Sequence, residues 1–291
     1  MLTEGWSELV PGVDVFFRRG HEPGPFALIT AGIHGDEYEG PAAVARLVDS
    51  IDGLPLAGSI AAIPVANPMA WRGSQRTSPD DGLNLARTFP GNPGGSPTER
   101  LAAAIFDLAK RADHLIDLHS GGVEYLFLPL SGFYGEEDLA AARRFGVSTL
   151  WRLPVTAGVL SCELWKLGHS VIGCEYLGAG QLSLKGRDTY LRGILSCLAY
   201  WKLLPQEYLL PEEGTVCVGD WIMSSATGLF VAHCSIGDIV TPGQLLAEIC
   251  DPRGNILQAL HAPPAGGFVL AIRSKAYIRP DNWGVLIAAN I

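Results

Sequence analysis

The sequence of 291 residues has no run of about 18 consecutive apolar residues, the minimum for a membrane-spanning helix. A helical membrane protein is therefore not expected. Positive charge is also scarce: 21 Lys plus Arg stand against 30 Asp plus Glu, a net charge of −9, with no basic run to offset it. Phosphate backbones would be repelled, so no nucleic-acid partner is expected. The start, MLTEGWSELV, lacks the positive charge and apolar stretch of an export signal and carries Glu4 and Glu8 there instead. The six cysteines show no C-x-x-C pairing, and a chain of this length needs no disulfide staples. These absences point to a soluble cytoplasmic protein with reduced cysteines. Its 35 Gly and 20 Pro fall short of the low-complexity range, and 48% of its residues are hydrophobic, enough for a substantial core.

From Val13 to about Trp201, short apolar runs alternate with helical patterns, which predicts βαβ units and a mainly parallel sheet. The expected strands are VDVFF, FALITAGI, SIAAIPVAN, HLIDLH and SVIGCEYL. Ser96-Pro97-Thr98-Glu99 offers an N-cap, a proline at the first helical position and a glutamate three residues after the cap. A helix is expected to start there, a second to run from about Tyr38 to Ile51, and a third from Asp188 to Leu204. Beyond Pro205 to Gly214 the character changes to short β-rich stretches separated by SIGD, TPGQ, DPRGN, PPAGG and RPDN turns. The expected division is residues 1–208, an α/β part, and 209–291, a small all-β part that resembles a barrel-sandwich (biotinyl/lipoyl-like) domain. Its DPRGN tip has no lysine flanked by methionines, so no covalent cofactor is expected.

Zinc hydrolases commonly use two His and one Glu and leave a fourth position for water. His34 and Glu37 lie three residues apart just beyond the strand FALITAGI, where the chain enters a helix. His119 ends the strand HLIDLH and is followed by Ser120 and two glycines, and ligands in open α/β sheets gather outside the carboxyl ends of strands. These three are the expected metal ligands. Asp117, two residues before His119, shares its face of the strand and can orient a ligating imidazole; a sheet-end hydrogen bond is the plain alternative. Glu175 closes the apolar strand SVIGCEY, where a carboxylate is costly unless paired or functional, so it is either a buried ion-pair member or the acid–base group. The segment NPMAWRGSQRTSPDDGLNLARTFPG has little regular pattern and three arginines, of which Arg76 and Arg87 are the favoured contacts to an anionic substrate and Arg72 an ordinary surface charge.

HGDE, NP, DGLNLARTFPG, DLH and the late CEY glutamate, in this order, resemble the succinylglutamate desuccinylase and aspartoacylase family, relatives of the zinc carboxypeptidases. The resemblance implies a carboxypeptidase-like mixed sheet flanked by helices, and one zinc per chain on His34, Glu37 and His119. It also implies Glu175 as general base and acid, Arg76 polarising the scissile carbonyl and Arg87 holding a substrate carboxylate. One position departs from the family pattern: Ala86 stands where a substrate-binding asparagine is expected, with Asn84 the nearby side chain that could compensate. The implied reaction is zinc-dependent hydrolysis of an amide in a small N-acylated amino acid or related amine. A metallocarboxypeptidase acting on peptide C-termini and a non-catalytic metal-binding module are the alternatives; a homo-oligomer is compatible with all three.

Overall fold

The computed structural model describes residues 2–206, 208 and 214–291. The first part of the chain forms β1 (Gly5–Val10), β2 (Val13–Arg19), β3 (Glu22–Ala31), α1 (Glu39–Ile51), β4 (Ala57–Ile63), α2 (Pro68–Arg72), α3 (Pro97–Ala109) and β5 (His114–Leu118). It continues through β6 (Tyr125–Phe133), α4 (Glu136–Arg144), β7 (Thr149–Arg152), α5 (Leu160–Trp165), β8 (Ser170–Gly178) and α6 (Leu184–Tyr200). The remainder is all β: β9 (Thr215–Met223), β10 (Gly228–Ala232), β11 (Ile239–Val240), β12 (Leu245–Cys250), β13 (Ile256–His261), β14 (Gly267–Arg273), β15 (Tyr277–Ile278) and β16 (Trp283–Asn290). No helix among the described residues is long and apolar enough to cross a membrane.

Strands β4, β3, β5 and β8 are parallel neighbours and carry the apolar runs read from the sequence. The sheet is not parallel throughout, since β1, β2 and β6 pair antiparallel at its flanks. The short link from β5 to β6 accounts for one reversal, because a parallel return needs a crossover of a dozen or more residues. Helix α3 starts as expected: Ser96 and Glu99 complete a reciprocal capping box, and Pro97 occupies the first turn. Helix α1 also falls where expected, whereas α6 begins earlier than the Asp188 start read from the sequence. Ser183 is its cap, with its hydroxyl accepting from the Gly186 amide, while Asp188 pairs with Arg187.

The chain after Gly214 joins the same 12-stranded sheet. β9 pairs parallel to β7, while β16 pairs antiparallel to β9, β14 antiparallel to β16, and β14 returns to pair antiparallel with β6, which closes a small barrel from β6, β7, β9, β16 and β14. A second sheet in the order β13, β12, β10, β15 covers one side, with Phe230, Leu246 and Ile249 packed in one apolar cluster with Val285 and Ile287. The barrel thus takes two strands from before residue 208. The expected boundary itself falls at Leu209, outside the described residues. One consequence of this closure is positional: Trp221 on β9 and Trp283 on β16 come to lie beside the carboxyl ends of β5 and β8.

Candidate active site

His34 and Glu37 lie in the loop that leaves β3 and enters α1, and His119 follows the last residue of β5. One possible ligand atom from each comes within 4.8 Å of the others. His34 Nδ1 lies 2.6 Å from Glu37 Oε1, and His119 Nδ1 lies 3.0 Å from Glu37 Oε2. Both imidazoles therefore present Nδ1 to the centre. Their outer nitrogens are tied down: Asn84 Oδ1 accepts from His34 Nε2 at 3.0 Å, and Asp117 Oδ2 lies 3.2 Å from His119 Nε2. Asp117 is itself fixed by the Thr30 hydroxyl, which donates to Oδ1 at 2.7 Å. Two His nitrogens and a carboxylate, each His held from behind by an oxygen acceptor, are a donor set that fits a zinc-type ion.

Local packing dictates the loop sequence. A Cβ at Gly35 would stand 2.0 Å from the carbonyl carbon and oxygen of Ala70, so the His34 turn can press against α2 only with glycine there. Asp36, which the sequence reading passed over, accepts the Val123 amide at 2.9 Å and pins the segment after His119 to the ligand loop. The Ser120 amide donates to Glu37 Oε2 at 3.1 Å. Tyr190 on α6 donates to the His119 carbonyl at 2.5 Å, a second support without a sequence signal. Asp36, Glu37 and Glu39 are all essentially buried, and buried carboxylates are rare unless engaged; the sequence itself shows only the crowding of these acids beside His34.

Electrostatics separates the two imidazoles. Burial, helped by the Arg76 guanidinium, pushes His34 down to about 4, so it is neutral at physiological pH. Burial would do the same to His119, but the carboxylates of Asp117 and Glu37 outweigh it and hold the imidazolium form well above the usual histidine range. Glu37 is buried as well, yet the two histidines keep its carboxyl well below the usual carboxylate range. Metal and proton must then compete for His119 Nδ1. At pH 7, loading the metal-free protein with Zn²⁺ is expected to release about one proton per chain, and affinity should rise with pH. Calorimetric titration in buffers of different ionisation enthalpy checks this; release of none would contradict it. Asp117→Ala is expected to weaken Zn²⁺ affinity by about 10- to 100-fold in competition with a chromogenic chelator, and an unchanged affinity would reduce Asp117 to a sheet-end hydrogen bond.

Glu175 sits near the end of β8 and lines the same cavity as His34 and His119. Its Oε2 is enclosed without a hydrogen-bond partner among the described residues, so the ion-pair alternative finds no support there. Burial, reinforced by the charge of Glu37, pushes its carboxyl up to about 8. Arg76 reaches into the cluster, with Nη1 3.4 Å from Glu37 Oε1 and 3.3 Å from His34 Nδ1. Arg87 has no carboxylate within ion-pair distance among the described residues; its guanidinium lies 5.9 Å from the Trp283 ring centroid. Both Asn84 and Ala86 precede it: Asn84 caps the single 3-10 turn Leu85–Arg87 that contains Ala86, and its Oδ1 also accepts the Ala86 amide at 2.9 Å. The Asn84 oxygen is thus engaged with His34 and the turn, while the side chain borders a mouth shared with Arg76 and Arg87. The cavity holds about 270 Å³, and Phe127, Trp151, Trp221 and Trp283 in its wall were not singled out by the sequence.

Residues 23–201, more than half of the chain, match the family model of the succinylglutamate desuccinylase/aspartoacylase catalytic domain. The N-alpha-acetyl-L-2,4-diaminobutyric acid deacetylase of Halomonas elongata is 30% identical over 282 residues, spanning 91% of this chain and 82% of that protein. The product-bound structure of an ectoine utilization protein from Ruegeria pomeroyi superposes with a TM-score of 0.86 at 27% identity, covering 95% of this chain and 88% of that one. A succinylglutamate desuccinylase/aspartoacylase structure from Rhodobacter sphaeroides, at 24% identity and a TM-score of 0.85, covers 96% and 90% and shares the fold.

Proposed function

The chain belongs to the succinylglutamate desuccinylase/aspartoacylase family, and from that premise we propose that it is a zinc-dependent hydrolase cleaving the amide of a small N-acylated amino acid or related amine. The observation that carries this reading is a cavity of about 270 Å³ lined by His34 and His119 of the cluster with Glu37 and by Glu175, whose buried carboxylate oxygen has no hydrogen-bond partner among the described residues. A zinc ion held by His34, Glu37 and His119 would supply Lewis acidity and lower the pKa of water to about 7. Glu175, poised near neutrality by burial, takes the proton of the attacking water as the water oxygen bonds to the carbonyl carbon. The charge that develops on the carbonyl oxygen faces the Arg76 guanidinium. Glu175 then returns the proton to the amine nitrogen as the carbon–nitrogen bond breaks, and the remaining water proton passes from the new carboxyl group to the amine, leaving a carboxylate and an ammonium.

Asp117 and Asn84 keep the two imidazoles in the tautomer that turns Nδ1 inward, and the Asn84 amide nitrogen remains available at the mouth. Arg87, a cation without a carboxylate partner among the described residues, takes the substrate carboxylate. In the same proposal residues 1–208 carry the hydrolytic machinery, and 209–291 form a β-rich part that walls the cavity through Trp221 and Trp283. A cavity this small favours a small acyl amino acid over a peptide chain.

A panel of N-acyl amino acids incubated with zinc-loaded protein, with free amine measured, tests the reading directly. Hydrolysis of at least one member is expected; none would remove it. Arg76→Ala and Arg87→Ala should then separate. Loss of Arg76 is expected to lower kcat by about 10² to 10³-fold, the scale of a missing oxyanion donor. Loss of Arg87 removes a contact made both before and during reaction, so KM should rise roughly 10- to 100-fold with kcat little changed. Equal effects on kcat from both changes would overturn the two assignments.

A further inference from the structure

The reacting groups occupy only part of the cavity wall. Phe127, Trp151, Leu153, Val159, Trp221 and Trp283 line much of the remainder. Trp221 and Trp283 stack with centroids 4.9 Å apart, and Phe127 meets Trp221 edge-on at 5.9 Å, so this aromatic wall is braced and shaped rather than collapsible. Ala86 adds a methyl where a carboxamide would have made the wall polar. The charged lining groups are two arginines, the two ligand histidines and one carboxylate, Glu175. A substrate ammonium entering here would meet two guanidiniums and no spare acid. A second substrate carboxylate would compete for arginines that already face Glu37 and the first carboxylate. Polar side chains gather instead at the mouth, a space of about 260 Å³ where Asn84, Asp281 and Asn282 join Arg76 and Arg87.

Resting on the deacylase reading above, we infer that the substrate carries an uncharged apolar arm, branched or aromatic, on its acyl group or on its amino-acid side chain, and that this arm packs on the Phe127, Leu153, Val159 and tryptophan wall. The only substrate charge required is the carboxylate at Arg87. Desolvation of the arm drives selectivity, and each buried methylene is worth about fourfold in kcat/KM.

Two substrate series test this with zinc-loaded wild-type protein. In the first the acyl group is acetyl and the amino acid is leucine, phenylalanine, alanine, aspartate or 2,4-diaminobutyrate. In the second the amino acid is glycine and the acyl group is isovaleryl, phenylacetyl, acetyl or succinyl. The inference expects, in at least one series, the branched or aromatic members to exceed both the small and the charged ones by about 10-fold or more in kcat/KM. Flat profiles, or charged members fastest in both series, overturn it. Tryptophan fluorescence titrations with leucine, 2,4-diaminobutyrate, phenylacetate and succinate give a second readout that needs no turnover. There the apolar ligand of one pair should bind more tightly than its charged counterpart, and equal or reversed affinities in both pairs overturn the inference. If no substrate is hydrolysed, the deacylase reading fails, while the titrations still decide whether the wall selects an apolar arm. Thr156→Asp, a half-buried loop position on the same wall, places a carboxylate at the cavity without altering the core. It should move selectivity by about 10-fold toward the 2,4-diaminobutyrate substrate or ligand; no movement counts against the wall as the selective element.

Discussion

Glu175→Gln is expected to keep the metal and lose about 10² to 10⁴-fold in kcat, the usual worth of a positioned acid–base group. Glutamine preserves the shape of the side chain at the end of β8 and can still hydrogen-bond, but it cannot accept a proton from water. Metal binding should survive, because the ligand atoms come from His34, Glu37 and His119. Stability should change little, because Glu175 Oε2 has no partner to lose among the described residues and its carboxyl, pushed up to about 8 by burial, is already largely neutral near pH 7, as glutamine is. The combination is diagnostic: a retained fold, retained zinc and a collapsed kcat. Full activity in this variant would remove Glu175 as the base and favour a metal-binding module whose chemistry lies elsewhere.

The second large effect is on the metal itself. His34→Ala and His119→Ala are each expected to reduce zinc from about one per chain to near zero after dialysis, since each removes one of three protein ligands. Activity should vanish with it. The two variants should differ in the proton balance of what remains. His34 is neutral before the metal arrives, whereas His119 must give up a proton to bind. Any residual zinc binding in His119→Ala should therefore lose most of its rise in affinity with pH, whereas in His34→Ala that rise should persist. Full zinc occupancy in both variants, measured by elemental analysis, would place the metal elsewhere.

Much of this arrangement can be read from local chemistry alone. The capping box at Ser96 defines the start of α3, and the apolar runs ending in His34, His119 and Glu175 place three strand ends side by side in a parallel sheet. Other parts have no such local signal. β6 escaped because its sequence, YLFLPLSGF, carries Pro129 and Gly132 and lacks clean alternation. The structure tolerates the proline at a register shift between Phe127 and Leu130, where the ladder against β8 is already interrupted. Without β6 and β7 the closed barrel could not be foreseen, and the C-terminal strands read as a module of their own. The same gap hid Trp221 and Trp283: their place in the cavity depends on β9 pairing with β7 and β14 pairing with β6, contacts between residues far apart in the chain. The true start of α6 was obscured because Ser183 and Asp188 are both good caps, and the choice between them depends on the Ser183 amide reaching Glu39 across the fold.

The central claim, that one metal on His34, Glu37 and His119 serves amide hydrolysis, is tested most directly by titrating Zn²⁺ into chelator-stripped protein while measuring amine release from the best N-acyl substrate. The account predicts negligible activity in the stripped protein, a linear rise, and a break at about one equivalent per chain. Activity that survives complete removal of the metal, or a rise that ignores stoichiometry and persists in His119→Ala, would contradict it.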